Sequence, residues 1–444
     1  MKRIVILGGG ESGTGSAVLA KIKNFDVFLS DKGKISDEYK KILEQYRIDF
    51  EENRHTEDKI LNADEIIKSP GIPDKAPVVV KSKEKGINII SEIEFAGRYC
   101  NAKKICITGS NGKTTTATLI CFLLKNAGIN AGLAGNIGKS FAFQVATENH
   151  DYYILELSSF QLDGMFEFKA DIAVLLNITP DHLDRYDYKL ENYVRSKFRI
   201  TQNMNSDDCF IFCADDKITM AHIEEIVLKA KMLPFSQKTN ILQGSHIESK
   251  SLFTQINNNV FSMLVDDLSL KGKHNIYNSM AAAITGKVLD IRNEIIRQSL
   301  STFKGVEHRL EFVLSISGIK FINDSKATNV NSVWYALDSI NGKIIWIAGG
   351  TDKGNDYSEI MDLVREKVRA IVCLGLDNSK IISFFKDTVP IIAETVSIKD
   401  AVEKSYELAC QGDTVLLSPA CASFDLFENY EDRGKQFKKE VRNL

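Results

Sequence analysis

The stretch ITGSNGKTTTAT, residues 107–118, sets paired glycines before a Lys-Thr dipeptide, between a strand-like and a helix-like run. A turn of this kind points backbone N–H groups at phosphate oxygens. Those of Gly109, Ser110, Asn111 and Gly112 could cradle a nucleotide, Lys113 could neutralise the β and γ phosphates, and the Thr114 hydroxyl could reach Mg2+. The loop is two residues shorter than the widespread G-x-x-x-x-G-K-[ST] pattern, whose first glycine would fall on Ile107. Strand, glycines and G-K-T-T together point to binding of a nucleoside triphosphate.

Other reactive groups follow neighbouring strand-like runs. Glu156 lies at the end of YYILEL, and LLNITPDHLDRY places Asp181, His182 and Asp184 just beyond another run. Singly, each is more simply a structural residue. In a parallel sheet, however, the carboxyl ends of strands converge on the phosphate loop, so Glu156 and His182 could hold a second metal ion.

A second glycine motif opens the chain. Gly8, Gly10 and Gly13 in VILGGGESGTGSA form G-x-G-x-x-G after a strand, and Asp31 follows the next strand at the distance of a ribose-holding carboxylate. IIKSPGIP adds Ser69 and Gly71 at a further strand end. The residues alone leave open a dinucleotide cofactor, the diphosphate of a nucleotide substrate, or a tight turn that binds nothing.

Positioning these groups requires an α/β scaffold. RIVILG, FDVFLS, KICITG, YYILEL, DIAVLLNIT, KIIWIAGG, AIVCLG and DTVLLSP are mostly unbroken apolar runs, as parallel strands covered on both faces should be. Helical patterns separate them, such as TTTATLICFLLKNAG, with Gly128 as its terminator. At roughly 100–200 residues per domain, 444 residues suggest about three domains. We place them at 1–93, 94–303 and 304–444, with residues 240–270 forming a small antiparallel addition to the middle one.

Composition narrows the function classes. A net charge of -3 gives no reason to expect nucleic acid or an anionic membrane as partner. Eight scattered cysteines without a C-x-x-C pair read as reduced core thiols. The start MKRIVILGGG lacks a long apolar h-region, and no run reaches the ~18 apolar residues of a membrane span. A cytoplasmic protein, monomeric by default, is expected.

Taken in order, TGSNGKTT, LELSSFQL, NITPDHLDRY, KGKHNIYNSMAA, EHRLEF, NDSKATN, AGGTDKG and LSPACASFD resemble the Mur ligases, ATP-dependent amino-acid ligases of bacterial cell-wall synthesis, over nearly the whole chain. The resemblance implies a Rossmann-like N-terminal domain, a central P-loop ATPase-type parallel sheet and a Rossmann-like C-terminal domain. It also implies ATP and two Mg2+ ions, and conversion of a carboxylate to an acyl phosphate that an amine attacks. That family uses the short G-x-x-G-K-T loop, and its first domain holds the uridine diphosphate of the substrate rather than NAD.

Carried over by matching positions, Gly109 to Thr115 together with Asn275, Asn278, Arg309 and Asp324 serve ATP, and Lys113, His182 and Lys197 are catalytic. Thr114 serves one Mg2+. Glu156, His182 and Lys197, the last as a carbamate, serve the other. Glu11, Ser12, Asp31, Ser69, Gly71 and Asn136 serve the uridine substrate, UDP-N-acetylmuramoyl-L-alanine. Lys326, Thr328, Lys353, Ser423, Phe424 and Tyr430 serve the acceptor, which DSKATN favours as D-glutamate. Glu11 and the DKGK run after Ser30 are individual to this chain. By residue type alone, Lys197 reads as a helical surface lysine, Asp324 as a helix N-cap and Arg309 as a surface charge. The rivals are a folate polyglutamate ligase, which lacks this first domain and ELSSFQL, a nicotinamide oxidoreductase, and a P-loop switch without an acceptor.

Overall fold

A computed structural model describes residues 1–352 and 354–444. The apolar runs become the strands of three sheets. In the first, β1 (Arg3–Leu7), β2 (Asp26–Ser30), β3 (Asp49–Glu51), β4 (Glu65–Lys68) and β5 (Asn88–Ile90) lie in the order 3-2-1-4-5, all parallel. The order reverses between β1 and β4. A crevice therefore opens at the carboxyl ends of those strands, where Gly8 and Ser69 follow them.

The second sheet contains β6 (Lys103–Thr108), β7 (Ala131–Gly135), β8 (Tyr152–Glu156), β9 (Ile172–Leu175), β10 (Cys209–Cys213) and β11 (Lys231–Ser236). It continues through β12 (Gly244–Glu248), β13 (Ser251–Ile256) and β14 (Asn259–Leu264), in the order 14-13-12-11-10-9-6-8-7. The antiparallel addition expected at 240–270 is present as β12 to β14, but it is not a separate sheet: β12 pairs with β11 in parallel and extends the central one. β6 sits between β8 and β9, which brings the loops after all three together.

The third sheet, β15 (Glu311–Ile316), β16 (Ile319–Asn323), β17 (Ile344–Gly349), β18 (Val368–Leu374), β19 (Ile391–Thr395) and β20 (Thr414–Ala420), has the order 15-16-20-17-18-19. Only β15 runs antiparallel to its neighbour. β17 and β20 are buried along their whole lengths, which is why their sequences show no polar alternation.

The chain forms two compact units, residues 1–270 with 275–303 and residues 271–274 with 304–444. In the first unit one apolar core runs through both sheets, from Ile4 and Leu29 by way of Phe95 and Phe141 to Leu155 and Phe210. Polar groups also join them. Glu11 Oε1 accepts the Ser140 N–H at 2.8 Å, and the fully buried Glu92 accepts the Ala142 N–H at 3.0 Å as well as the Ser140 hydroxyl. Burial pushes the Glu92 carboxyl above its ordinary pKa.

Candidate functional site

β6 ends at Thr108, and helix Lys113–Asn126 begins directly after Gly112. Gly112 has φ 82°, in the left-handed region, and a Cβ there would lie 2.6 Å from Asn278 Oδ1. Conformation and space both demand glycine. The loop is held from the segment after β9. Asn177 Oδ1 accepts the Asn111 N–H at 2.9 Å, Asn177 O accepts the Ser110 N–H at 2.9 Å, and the Ser110 hydroxyl bonds Thr179 O at 2.9 Å. Tyr193, buried, meets the Ser110 hydroxyl at 3.2 Å. Neither residue stands out in the sequence as a loop-fixing group; the available signal for Asn177 is a polar residue just past a strand end, and Tyr193, inside helix Leu190–Phe198, carries none.

Two amines converge on Gly109 O, Lys113 Nζ at 2.8 Å and Lys197 Nζ at 2.9 Å. Lys197 also donates to Thr108 Oγ1 at 3.2 Å and is only 2% exposed, so it is no surface lysine. Burial and the neighbouring Lys113 cation drive its pKa well below the usual lysine range. Glu156, at the end of β8, is 2% exposed. Its backbone carbonyl accepts the Asn136 N–H at 2.8 Å and its Oε1 accepts the Asn136 side-chain amide at 2.9 Å. The carboxylate expected to meet a metal is thus tied to the amide expected to meet the substrate.

His182 adopts φ 53°, with its side chain about half exposed and Nε2 3.6 Å from Asp181 Oδ2. Desolvation, aided by Lys113 and Lys197 and opposed by Asp181, lowers its pKa. The fold therefore brings Lys113, Glu156, His182 and Lys197 within electrostatic reach of one another. Thr114 and Thr115 are buried in the first turn of the helix after Gly112. On helix Lys273–Val288, Asn278 accepts from Thr116 Oγ1 at 3.1 Å and donates to Asn275 Oδ1 at 3.1 Å, so the expected adenine-contacting pair abuts the phosphate-loop helix.

At the first sheet, Ser69 stands against Gly8, where a Cβ would come 2.6 Å from the Ser69 hydroxyl; Gly71 and Gly10 are unobstructed. Asp31 accepts the Gly9 N–H at 2.5 Å and the Gly33 N–H at 2.7 Å, which shapes the glycine turn. Glu11 accepts from the Tyr39 hydroxyl at 2.9 Å in addition to Ser140, and Ser12 bonds Glu92. Glu11 and Ser12 thus join the two sheets of this unit.

In the second unit Asp324 is buried instead of capping a helix; Asn329 caps Val330–Ser339. Asp324 accepts the Ser418 hydroxyl at 2.8 Å and the Leu310 N–H at 3.2 Å. Burial pushes its pKa up to about 7, against the pull of these bonds and of Arg309. Arg309, only partly exposed, therefore acts on Asp324 rather than standing as a free surface charge.

Lys326 Nζ lies 5.2 Å from the Tyr430 ring centroid, and Ser423 is buried beside the 71% exposed Phe424. The Thr328 N–H bonds Lys326 O at 3.0 Å. Arg433, which nothing in the sequence marks out, joins the two turns that carry these groups. It donates to Ser325 Oγ at 3.0 Å and to Cys421 O at 3.3 Å. Lys353 lies outside the described residues.

Among the described residues no three His, Cys, Asp or Glu side chains form a metal cage, and no helix is long and apolar enough to cross a membrane. Residues 3–78 match the model of the MurD N-terminal domain, residues 107–286 that of the Mur ligase middle domain, and residues 308–421 that of the Mur ligase glutamate ligase domain. The chain is 57% identical over 443 residues to the UDP-N-acetylmuramoylalanine--D-glutamate ligase of Christiangramia forsetii, with 100% of each covered. It is 58% identical over 445 residues to the ligase of the same name from Bacteroides fragilis, again with 100% of each covered. Among solved structures, the UDP-N-acetylmuramate-alanine ligase MurC of Thermotoga maritima superposes with a TM-score of 0.64 at 18% identity, over 100% of this chain and 99% of that one.

Proposed function

The chain belongs to the Mur ligase family, and from that premise we propose how its residues join D-glutamate to UDP-N-acetylmuramoyl-L-alanine with ATP as the phosphoryl donor. It is an ATP-dependent amide-forming ligase of peptidoglycan precursor synthesis. The first-sheet glycine turn, which by itself also suits a dinucleotide, lies within the span matching the MurD N-terminal domain; a nicotinamide reading has nothing further to support it.

The chemistry follows from the poor reactivity of a carboxylate toward amines. Attack of an L-alanyl carboxylate oxygen on the γ phosphorus releases ADP and leaves an acyl phosphate. The D-glutamate amine then attacks the carbonyl carbon, loses a proton and expels phosphate. The first step brings two anions together, so the site must supply positive charge and N–H donors. The Lys113 ammonium meets that need, together with N–H groups of the loop and first helical turn other than those of Ser110 and Asn111, which Asn177 already takes. Asn136, fixed by Glu156, orients the arriving substrate.

The donor set suits Mg2+. The Thr114 hydroxyl and the Glu156 carboxylate are oxygen donors, which match a hard ion that keeps water and phosphate oxygens as most of its ligands. Thr114 would hold one ion, and Glu156 with His182 the other; when bound, they screen the charge between the reacting anions. Lys197 fits a carbamate for a physical reason. Only a neutral amine adds CO2, and burial beside Lys113 favours that form. The product is an anion beside a cation in place of two competing amines. D-Glutamate, with two carboxylates, is held by Lys326, Thr328, Ser423 and the Phe424 and Tyr430 segments, with Lys353 as a further cation. We assign a monomer working in the cytoplasm.

The arrangement of Lys113, Glu156, His182 and Lys197 around the immobilised short loop carries this reading. Phosphate release from ATP should require both UDP-N-acetylmuramoyl-L-alanine and D-glutamate. Equal turnover with L-glutamate, or with no acceptor, would refute it. Labelled bicarbonate should yield a carbamate resonance that disappears in Lys197→Arg; active enzyme without that resonance would remove the carbamate.

A further inference from the structure

Arg433 is 1% exposed, and the mechanism above gives it no task. It stands in the first turn of helix Tyr430–Asn443, against the two turns that carry the acceptor groups. Its Nε donates to Ser325 Oγ at 3.0 Å, Nη2 donates to Ser325 O at 2.9 Å, and both Nη1 and Nη2 donate to Cys421 O at 3.3 Å. Lys326 follows Ser325 directly, and Ser423 lies two residues beyond Cys421. The same helical turn holds the first of these segments a second time, because the Ser325 hydroxyl donates to Tyr430 O at 2.8 Å.

Every acceptor of the guanidinium is neutral. Among the described residues no carboxylate forms an ion pair with it; Asp425 acts on it only through space, and Asp425 Oδ2 instead takes the Leu376 N–H at 3.1 Å. Burial lowers the guanidinium pKa to about 10, against the pull of Cys421 and Asp425, so the group remains a cation at neutral pH.

A fork that only ties two turns together needs N–H groups, not charge. A buried charge without a counter-ion is costly, and neutral donors could hold Ser325 and Cys421 as well. The charge therefore calls for an anion that arrives later. The acceptor amino acid is that anion, since D-glutamate carries two carboxylates against one ammonium. In a poorly polarisable interior the field of a fixed cation extends past its own hydrogen-bond partners. We propose that Arg433 is a specificity-determining residue that acts without touching the acceptor, its unpaired charge behind the Ser325–Lys326 and Cys421–Ser423 segments favouring an acidic amino acid over a neutral one of the same shape. The inference rests on the reading of these segments as the acceptor site.

Kinetics on the full enzyme test it, with D-glutamate as the varied acceptor and D-glutamine, its neutral amide, as the competing ligand. The ratio of the D-glutamine Ki to the D-glutamate KM measures the preference for charge. Arg433→Gln, which keeps a donor and loses the charge, should lower that ratio about tenfold by raising the D-glutamate KM. The D-glutamine Ki and the KM for ATP should stay within about twofold, and kcat at saturation should be kept. Arg433→Lys, with the charge but not the fork, should hold the ratio within about threefold even where both ligands bind more weakly. Ser325→Ala, which removes the Nε partner and leaves the charge, should do the same. Equal weakening of D-glutamate and D-glutamine by Arg433→Gln would make Arg433 a structural fork and overturn the proposal while the ligase reading stands. Should tryptophan fluorescence show Arg433→Gln to be unfolded, the other two variants decide, and a preference lost in either overturns it. Failure of the wild-type enzyme to couple D-glutamate overturns the acceptor-site reading as well.

Discussion

Replacing Asp324 by Asn should stabilise the second unit while impairing the enzyme. The wild-type carboxyl titrates near 7 in the folded chain against an ordinary value of 3.8, because it is buried. Below about pH 4 it is protonated in both folded and unfolded chains and costs nothing. As pH rises toward 7 the unfolded chain ionises first, so unfolding releases a proton and stability falls. Above 7 both forms are ionised and the loss is complete. A separation of about three pH units at ~1.4 kcal/mol each sets the loss near 4 kcal/mol as an upper value.

An Asn side chain keeps both contacts. Its oxygen can accept the Leu310 N–H, and its amide can donate to the Ser418 hydroxyl. It has no charge to bury. Both tryptophans of the chain, Trp334 and Trp346, lie in this unit, so their fluorescence follows its unfolding selectively. In urea titrations from pH 4 to pH 9, wild type should lose stability between pH 4 and 7 relative to D324N, and D324N should be several kcal/mol more stable at pH 8 while turning over slowly. Parallel stability profiles for the two proteins would show that the folded carboxyl is not held neutral by burial.

Gly112→Ala should cost about 1–2 kcal/mol from the left-handed backbone alone, and its Cβ would displace Asn278; ATP affinity, read by analogue binding, should fall at least 5–30-fold. Unchanged affinity would mean that the loop refolds around the methyl group. Asn177→Ala removes the bonds to both the N–H and the carbonyl of Asn111 at about 1 kcal/mol each, and should raise KM for ATP more than it lowers kcat. A pure kcat effect would argue against a loop-fixing role. Lys113→Ala should abolish turnover, whereas Lys353→Ala should mainly raise KM for D-glutamate, which initial-rate kinetics with each substrate varied will separate.

The chain's local patterns determined its class and its chemistry. Short unbroken apolar runs ending in glycine or acidic residues read as buried parallel strands with reactive loops at their carboxyl ends, and the phosphate loop is contiguous, so its function is written in adjacent residues. Glu156 and His182 were legible for the same reason, as polar residues just past such strands. Lys197 and Asp324 were not legible from their residue types. A lysine on a helix and an aspartate before a turn look exposed until the sheet order covers them, and burial, which depends on distant segments, is what shifts their proton affinity. Asn177, Tyr193 and Arg433 escaped notice because each acts on a loop far away in sequence. Local sequence dictates which groups can react, while the environment that tunes them arises from contacts between remote parts of the chain.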